Sequence, residues 1–157
     1  MASKVGVMNL AKAYAVEGFL CSESVLLALS KTLRIESDII PRIATGFGGG
    51  IGRHGEICGA LSGAIMGLGL QFGRSHPSET PDSQTPYEYS QIMMNLFISR
   101  FGQIRCKDLL GIDISCKEGL QRYRREKLWE TKCQDIIKIT SGLAYDLLEA
   151  RGADLNP

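Results

Sequence analysis

The sequence predicts an all-α protein, an irregular helical bundle of about six to seven helices with a glycine-rich central helix. Apolar residues recur with a helical period along most of the 157 residues. Capping residues and prolines mark several helix starts. No segment shows the strict apolar–polar alternation of a half-buried strand. This length suits a single domain, 1–157, that buries its own core.

The first three predicted helices each show an apolar face. Its positions are Val5, Met8, Ala11 and Ala15 in the first helix, and Val25, Leu26, Leu29 and Leu33 in the second. Ser37 and Asp38 are predicted to cap a third helix that accepts Pro41 in its first turn. That helix would place Ile39, Ile43 and Phe47 on one side and break in the glycine cluster 46–52.

The fourth helix is predicted from about Gly55 and Glu56 to Phe72, at the centre of the bundle. Residues 57–72 contain no charged side chain but are too few for a comfortable membrane span, so we predict a buried helix. Gly59, Gly63 and Gly67 form a stripe on one face, which lets a neighbouring helix approach closely.

The second half of the chain is predicted from its capping residues. Three prolines within residues 74–86 indicate a long surface loop, which is expected either to be mobile or to cover a site. Three capping boxes follow, and each is predicted to start a helix. They are Thr85-Pro86-Tyr87-Glu88, Ser115-Cys116-Lys117-Glu118 and Thr131-Lys132-Cys133-Gln134. Residues 106–110 are predicted as one helical turn, and the last helix is expected to end at Gly152.

Five cysteines carry the candidate chemistry: Cys21, Cys58, Cys106, Cys116 and Cys133. No Cys-x-x-Cys pair is present, so any site must be assembled from distant segments. The cysteines fall at or near predicted helix starts, where free N–H groups would stabilise a thiolate. The alternative is that they are small buried hydrophobic residues.

The glycine cluster and its histidine leave two interpretations open. Residues 50–55 match the G-x-G-x-x-G pattern, but a dinucleotide site needs a preceding strand and none is predicted. The glycines either permit a tight interhelical turn or form an anion site with Arg53 and His54. His54, four residues before Cys58, is a candidate base or ligand unless the glycine break turns it away. His76 is expected to be solvated.

The charge balance excludes some partners. A formal net charge of +1 provides no field for nucleic acid or an anionic membrane. The basic run 122–127 is interpreted as a solvated helix face. The N-terminus lacks the apolar block of a secretory signal, so we expect a cytoplasmic protein.

Several segments resemble the C_GCAxxG_C_C family of redox-active proteins. The central segment, 46–63, is similar to the family signature, and the segments that begin near Cys21, Cys106 and Cys133 are similar to its other cysteine segments. One departure is that Cys58 precedes Gly59 here, although the family name places glycine first. The resemblance covers about residues 5–150.

The resemblance implies a helical protein with four functional cysteines: Cys21, Cys58, Cys106 and Cys133. Cys116 lies outside the pattern and is either incidental or a resolving thiol. Two chemistries are open: thiol–disulfide or electron-transfer chemistry with Cys58 as the leading reactive residue, or binding of a metal ion or iron–sulfur cluster by the four thiolates. Gly59, Gly63 and His54 are the candidate cofactor-binding residues.

The type of partner follows less directly from the sequence. If the cysteines are redox-active, we expect a thiol-dependent oxidoreductase or electron carrier with an unknown redox partner. The glycine-lined and apolar helix faces favour a homodimer. A non-catalytic helical interaction module, in which the cysteines are merely packed, is the third class of function.

Overall fold

The computed structural model describes residues 3–77 and 86–150, and this part of the chain is all-α as predicted. It contains α-helices, one 3-10 helix and one π-helical turn, separated by short connections. The α-helices are α1 Lys4–Glu17, α2 Cys21–Thr32, α3 Gly59–Phe72, α4 Pro86–Phe101, α5 Cys106–Leu110, α6 Lys117–Arg125 and α7 Gln134–Ala150. The 3-10 helix is Arg42–Phe47, and the π turn Trp129–Cys133 leads directly into α7.

Helix α3 is the glycine-rich central helix. It packs against α2, α4 and α7, while α1 closes the bundle against α2 and α7. The stripe of Gly59, Gly63 and Gly67 faces α2. A Cβ atom at Gly63 would collide with the backbone of Ser22, and one at Gly67 with the side chain of Leu29. The two helices therefore pack at a separation that only glycine permits.

Two apolar clusters lie inside the molecule. The larger cluster, here called the main core, lies among α1, α2, α3, α4 and α7 and includes the fully buried Leu29, Leu61 and Phe97. The smaller one, here called the side cluster, is built from the segment between α5 and α7. Its buried members are Cys106, Leu110, Ile112, Ile114 and Leu128.

The prediction of a third α-helix beginning at Ser37 and Asp38 is wrong. Residues 38–41 form turns, and the 3-10 helix Arg42–Phe47 follows. Proline disfavours the α conformation in the residue before it, so Ile40 cannot continue a helix into Pro41. Ile39 and Ile43, expected on a buried face, are 57% and 55% exposed.

The central helix begins later than predicted. It starts at Gly59, with Cys58 as the N-cap, rather than near Gly55 and Glu56. Residues 56–58 lie outside the helix because this segment pairs with another one: Ile57 forms an isolated antiparallel bridge with Arg105. Cys58 therefore precedes the first turn of α3 instead of lying within it.

The capping predictions have mixed outcomes. Thr131 does not cap a helix, because the chain is already helical there and its hydroxyl donates to the Lys127 carbonyl. The N-cap of α6 is Cys116 rather than Ser115, with Sγ accepting the Gly119 N–H at 3.4 Å. Helix α4 begins at Pro86 as predicted.

Thr85, Gly152 and most of the predicted mobile loop 74–86 lie outside the described residues. Within 3–77 and 86–150, no helix has the length and apolar character needed to cross a membrane.

Candidate functional site

Four of the five cysteines line one small cavity, of about 50 Å³. Each comes from a different element. They are Cys21 at the first residue of α2, Cys58 at the N-cap of α3, Cys106 at the first residue of α5 and Cys133 at the end of the π turn. Cys116 is exposed and does not line this cavity. The structure thus brings together the four cysteines selected by family resemblance, while their chemical role stays a prediction.

A short backbone pairing places Cys58 beside Cys106. The Cys58 N–H donates to the Ile104 carbonyl at 2.8 Å, and the Cys106 N–H donates to the Glu56 carbonyl at 2.6 Å. The Arg105 guanidinium also forms two hydrogen bonds with the Glu56 carboxylate, at 2.7 and 3.2 Å. The Glu56–Arg105 contact alone connects residues that are 49 positions apart in sequence.

Cys21 occupies space that Gly59 leaves open. A Cβ atom on Gly59 would overlap the Cys21 Sγ, so the first glycine of the stripe is required for this sulfur to reach the cavity. The Cys21 sulfur faces backbone N–H groups of Gly49, Ser22 and Gly59. Gly59 and Gly63 are buried against α2; contact of either with a cofactor stays a prediction.

The glycine cluster forms a left-handed run rather than a simple tight turn. The φ angles of residues 49–53 are all positive, between 58° and 72°. Two of these residues, Ile51 and Arg53, are not glycine, and such a conformation is rare for a β-branched side chain. Each such residue costs about 1–3 kcal/mol, which contacts of the surrounding structure must offset. This loop carries Gly49 to the Cys21 sulfur.

Aromatic residues that the sequence reasoning missed form the outer wall of the cavity. Tyr123 and Trp129 both line it, and the Tyr123 hydroxyl lies 3.6 Å from the Cys133 Sγ. The Trp129 indole N–H donates to the Ala15 carbonyl at 3.3 Å, which fixes the ring against α1. The available signal was that Trp129 is the single tryptophan of the chain and lies four residues before a candidate cysteine.

The expected stabilisation of thiolates at helix starts is wrong for the resting protein. Burial raises the pKa of all four cavity thiols, to about 12 for Cys106 and about 11 for Cys133. Backbone N–H groups lower the pKa of Cys21, but desolvation outweighs them. The pKa of Cys58 is raised well above its ordinary value, first by burial and then by the charge of Cys21. The resting thiols are therefore protonated at neutral pH.

His54 lies away from the four thiols. It is exposed and does not line their cavity. It lines a separate surface groove of about 420 Å³ together with Arg53 and Cys116. The sequence left two alternatives for His54: a base or ligand beside Cys58, or a side chain turned away by the glycine break. The structure has the second arrangement.

A metal site is not formed by the present side-chain arrangement. Among residues 3–77 and 86–150, no group of three or more His, Cys, Asp or Glu side chains is placed so that it could hold a metal ion. The four sulfur atoms share a cavity without being in a coordination geometry.

A larger groove of about 510 Å³ adjoins the cavity. Cys21, Tyr123 and Trp129 line both spaces. Of the four cavity cysteines, Cys58 and Cys106 are buried, at 7% and 8% exposure, and only Cys21 reaches the groove. The groove gives outside molecules their approach to the sulfur cluster through Cys21.

Helical packing with four thiols from separate segments around one cavity defines a cysteine-cluster protein of the all-α class. The family comparison agrees: the model described as "Putative redox-active protein (C_GCAxxG_C_C)" matches residues 19–147, and the chain belongs to this family. No curated protein and no solved structure gives a significant match.

Proposed function

We propose that this protein is a thiol-based redox protein that cycles between dithiol and disulfide forms of its clustered cysteines. The observation that carries the proposal is the convergence of Cys21, Cys58, Cys106 and Cys133 on one cavity of about 50 Å³. Incidental buried cysteines would be expected to scatter through a core, because each packs as a small hydrophobic residue.

Cys21 is proposed as the entry thiol and Cys58 as its resolving partner. Cys21 lines both the groove and the cavity, whereas Cys58 lies deeper. Among the other cysteines, Cys21 has the largest electrostatic effect on the Cys58 thiol, which supports their proximity. This assignment replaces Cys58 with Cys21 as the leading reactive residue.

The chemistry is a two-electron oxidation. When two thiols form a disulfide, they lose two electrons and two protons, and an acceptor of the disulfide class takes up both. Cys106 and Cys133 form a second candidate pair that can receive the oxidised state from the first by exchange. Reduction by a cytoplasmic thiol system would complete the cycle.

The experiment is a site-resolved thiol titration of the reduced, full-length protein. Mild oxidation is expected to remove thiols in pairs, with a Cys21–Cys58 disulfide detected by peptide mass spectrometry. Cys21→Ser and Cys58→Ser should each abolish this first disulfide, and Cys116→Ser is the matched control because Cys116 lies outside the cavity. If all five thiols of the folded protein stay unreactive, the proposal fails in favour of cysteines that are merely packed.

A second candidate function is binding of a metal ion or iron–sulfur cluster by the same four cysteines. Four sulfur ligands match the number that zinc and such clusters use. A bound cation would also favour the thiolate form that burial now opposes. The sulfur atoms would have to move, given the absence of a coordination geometry among the described residues. Anaerobic purification followed by a visible spectrum and elemental analysis tests this candidate, which a colourless, metal-free protein would exclude.

A further inference from the structure

The groove beside Cys21 has the dimensions of a small-molecule site. Its volume of about 510 Å³ lies within the range of about 300–1,000 Å³ typical of ligand pockets. Of the five cysteines, only Cys21 lines it. A molecule bound there would therefore contact the entry thiol and none of the other sulfur atoms.

The groove is positively charged and lacks a counter-charge. Arg53 and Arg124 line it, and no acidic side chain of the described residues does so. Both arginines are exposed, and within 3–77 and 86–150 neither forms an ion pair or a side-chain hydrogen bond. The guanidinium group suits carboxylates and phosphates, because its planar donors can engage two oxygens at once. Two unpaired arginines therefore favour an anionic ligand.

The position of Arg53 is set by the left-handed loop. Its φ angle is 66°, a conformation that an arginine rarely adopts. The side-chain stem crosses Gly49, where a Cβ atom would lie only 2.9 Å from the Arg53 Cγ. The glycine whose N–H faces the Cys21 sulfur is thus the residue over which Arg53 passes. The same strained loop places a backbone donor at the thiol and a cation in the groove.

Aromatic side chains supply the remaining walls. Phe19, Tyr123 and Trp129 line the groove, and Phe19 is held by an edge-to-face contact with Tyr14 at a ring separation of 5.7 Å. These walls favour a ligand whose middle is apolar and whose ends carry the negative charge.

We infer that the groove binds a small disulfide that bears carboxylates and orients its sulfur–sulfur bond toward Cys21, an inference that rests on the proposed function. Cys21, protonated in the resting protein, loses its proton as its sulfur attacks one substrate sulfur, which forms a mixed disulfide and releases the first substrate thiol. Cys58 then attacks the Cys21 sulfur, forming the protein disulfide and releasing the second. Two electrons pass from the two cysteines to the substrate, and the two cysteine protons leave with the two product thiols.

The test measures how fast the reduced protein is oxidised by each of three disulfides that are similar in size and different in charge. They are 3,3′-dithiodipropionate, which is anionic; 2-hydroxyethyl disulfide, which is neutral; and cystamine, which is cationic. The rate of Cys21 oxidation, divided by the rate at which the same disulfide oxidises a small free thiol, should be highest for the anion and lowest for the cation. Arg53→Gln and Arg124→Gln should each reduce the advantage of the anion over the neutral compound by roughly fivefold to tenfold, and added salt should reduce it as well.

Arg125→Gln is the matched control, because Arg125 lies on the same helix but does not line the groove. It should leave the preference unchanged. If the neutral disulfide oxidises the protein as fast as the anionic one, the thiol function stands and the inferred ligand class is wrong. An equal effect of Arg125→Gln would also overturn the inference. If none of the three compounds forms a protein disulfide, the proposed function and the inference fail together.

Discussion

The main core and the side cluster contribute equally to the sulfur site but are built differently. Cys58 is buried in the main core and Cys21 packs against it, whereas Cys106 is buried in the side cluster and Cys133 packs against that. The cavity therefore lies at the boundary of the two clusters. The main core consists of long helices in close contact, and the side cluster consists of short elements between α5 and α7.

This difference indicates a rigid half and a more easily opened half of the same site. Local opening is cheapest where few buried apolar contacts hold a segment. The side cluster has five buried members, so we expect local opening to expose Cys106 and Cys133 before Cys58, whereas Cys21 already lines the groove.

The largest loss of stability is expected from a substitution in the main core, at the glycine stripe. Gly63→Val should lower the free energy of unfolding by about 3 kcal/mol or more, because the new side chain would meet the Ser22 backbone, which cannot rotate away. Chemical denaturation measures this. Gly69→Ala is the matched control on the same helix, where a Cβ meets open space. It should stabilise the protein by about 0.5–1 kcal/mol through helix propensity. Equal effects would show that α2 and α3 are not in close contact.

The second-largest effect is expected at alkaline pH, where the free energy of unfolding should fall because of the buried thiols. The pKa of Cys106 is raised to about 12 and that of Cys133 to about 11, whereas an unfolded thiol has a value near 9.0. Above pH 9 the unfolded state releases protons that the folded state retains, so stability is full below that pH and falls as pH rises toward 11. The slope should approach about 1.4 kcal/mol per pH unit for each thiol.

Denaturation curves between pH 8 and 11 test this pH dependence. Cys106→Ala should make the decline shallower because it removes one of the four thiols whose pKa is raised by burial. Cys116→Ser should leave the decline unchanged, since that thiol lies at the surface. A decline as steep in Cys106→Ala as in the wild type would contradict the burial of this thiol.

A substitution with a smaller effect on stability should increase the accessibility of the thiols of the side cluster more than that of the thiols of the main core. Leu110→Ala removes a side chain that lines the cavity and is 5% exposed, and it should cost about 2 kcal/mol. Alkylation, followed by peptide mass spectrometry, should then accelerate more at Cys106 and Cys133 than at Cys21 and Cys58. Val16→Ala, at a position 65% exposed, serves as the control with little effect on either measure. Equal acceleration at all four thiols would remove the distinction between the two halves.

The regular helices could be predicted from the sequence because their signals are local. Periodicity located α1 and α2, the capping box 85–88 located the start of α4, and the glycine stripe predicted the close approach that α3 makes. The four cavity cysteines were selected by resemblance, since their wide spacing defines no site by itself. The predictions were wrong at Pro41 and at residues 55–58. The conformation of the first segment depends on a neighbouring proline, and that of the second depends on pairing with the distant Arg105.

The electrostatics of the site could not be predicted from helix starts. The position of a cysteine in a capping sequence indicates nearby N–H donors but not how much water surrounds it. At Cys58 and Cys106, burial dominates the pKa. The left-handed conformation of residues 49–53 could not be predicted from the sequence either, because Ile51 and Arg53 adopt a backbone conformation that their residue types disfavour.

The π turn Trp129–Cys133 sets the rotational phase between the cavity and the last helix. Each residue of an α-helix advances the chain by about 100°, and a π turn accommodates one residue more than an α turn would. Deleting a single residue such as Glu130 or Lys132 would convert the wide turn to ordinary α geometry. Because the wide turn already absorbs one extra residue, Cys133 and α7 would keep nearly the same rotational phase relative to the preceding segment. The chain would be one residue shorter, yet the Cys133 sulfur would keep its orientation toward the other three.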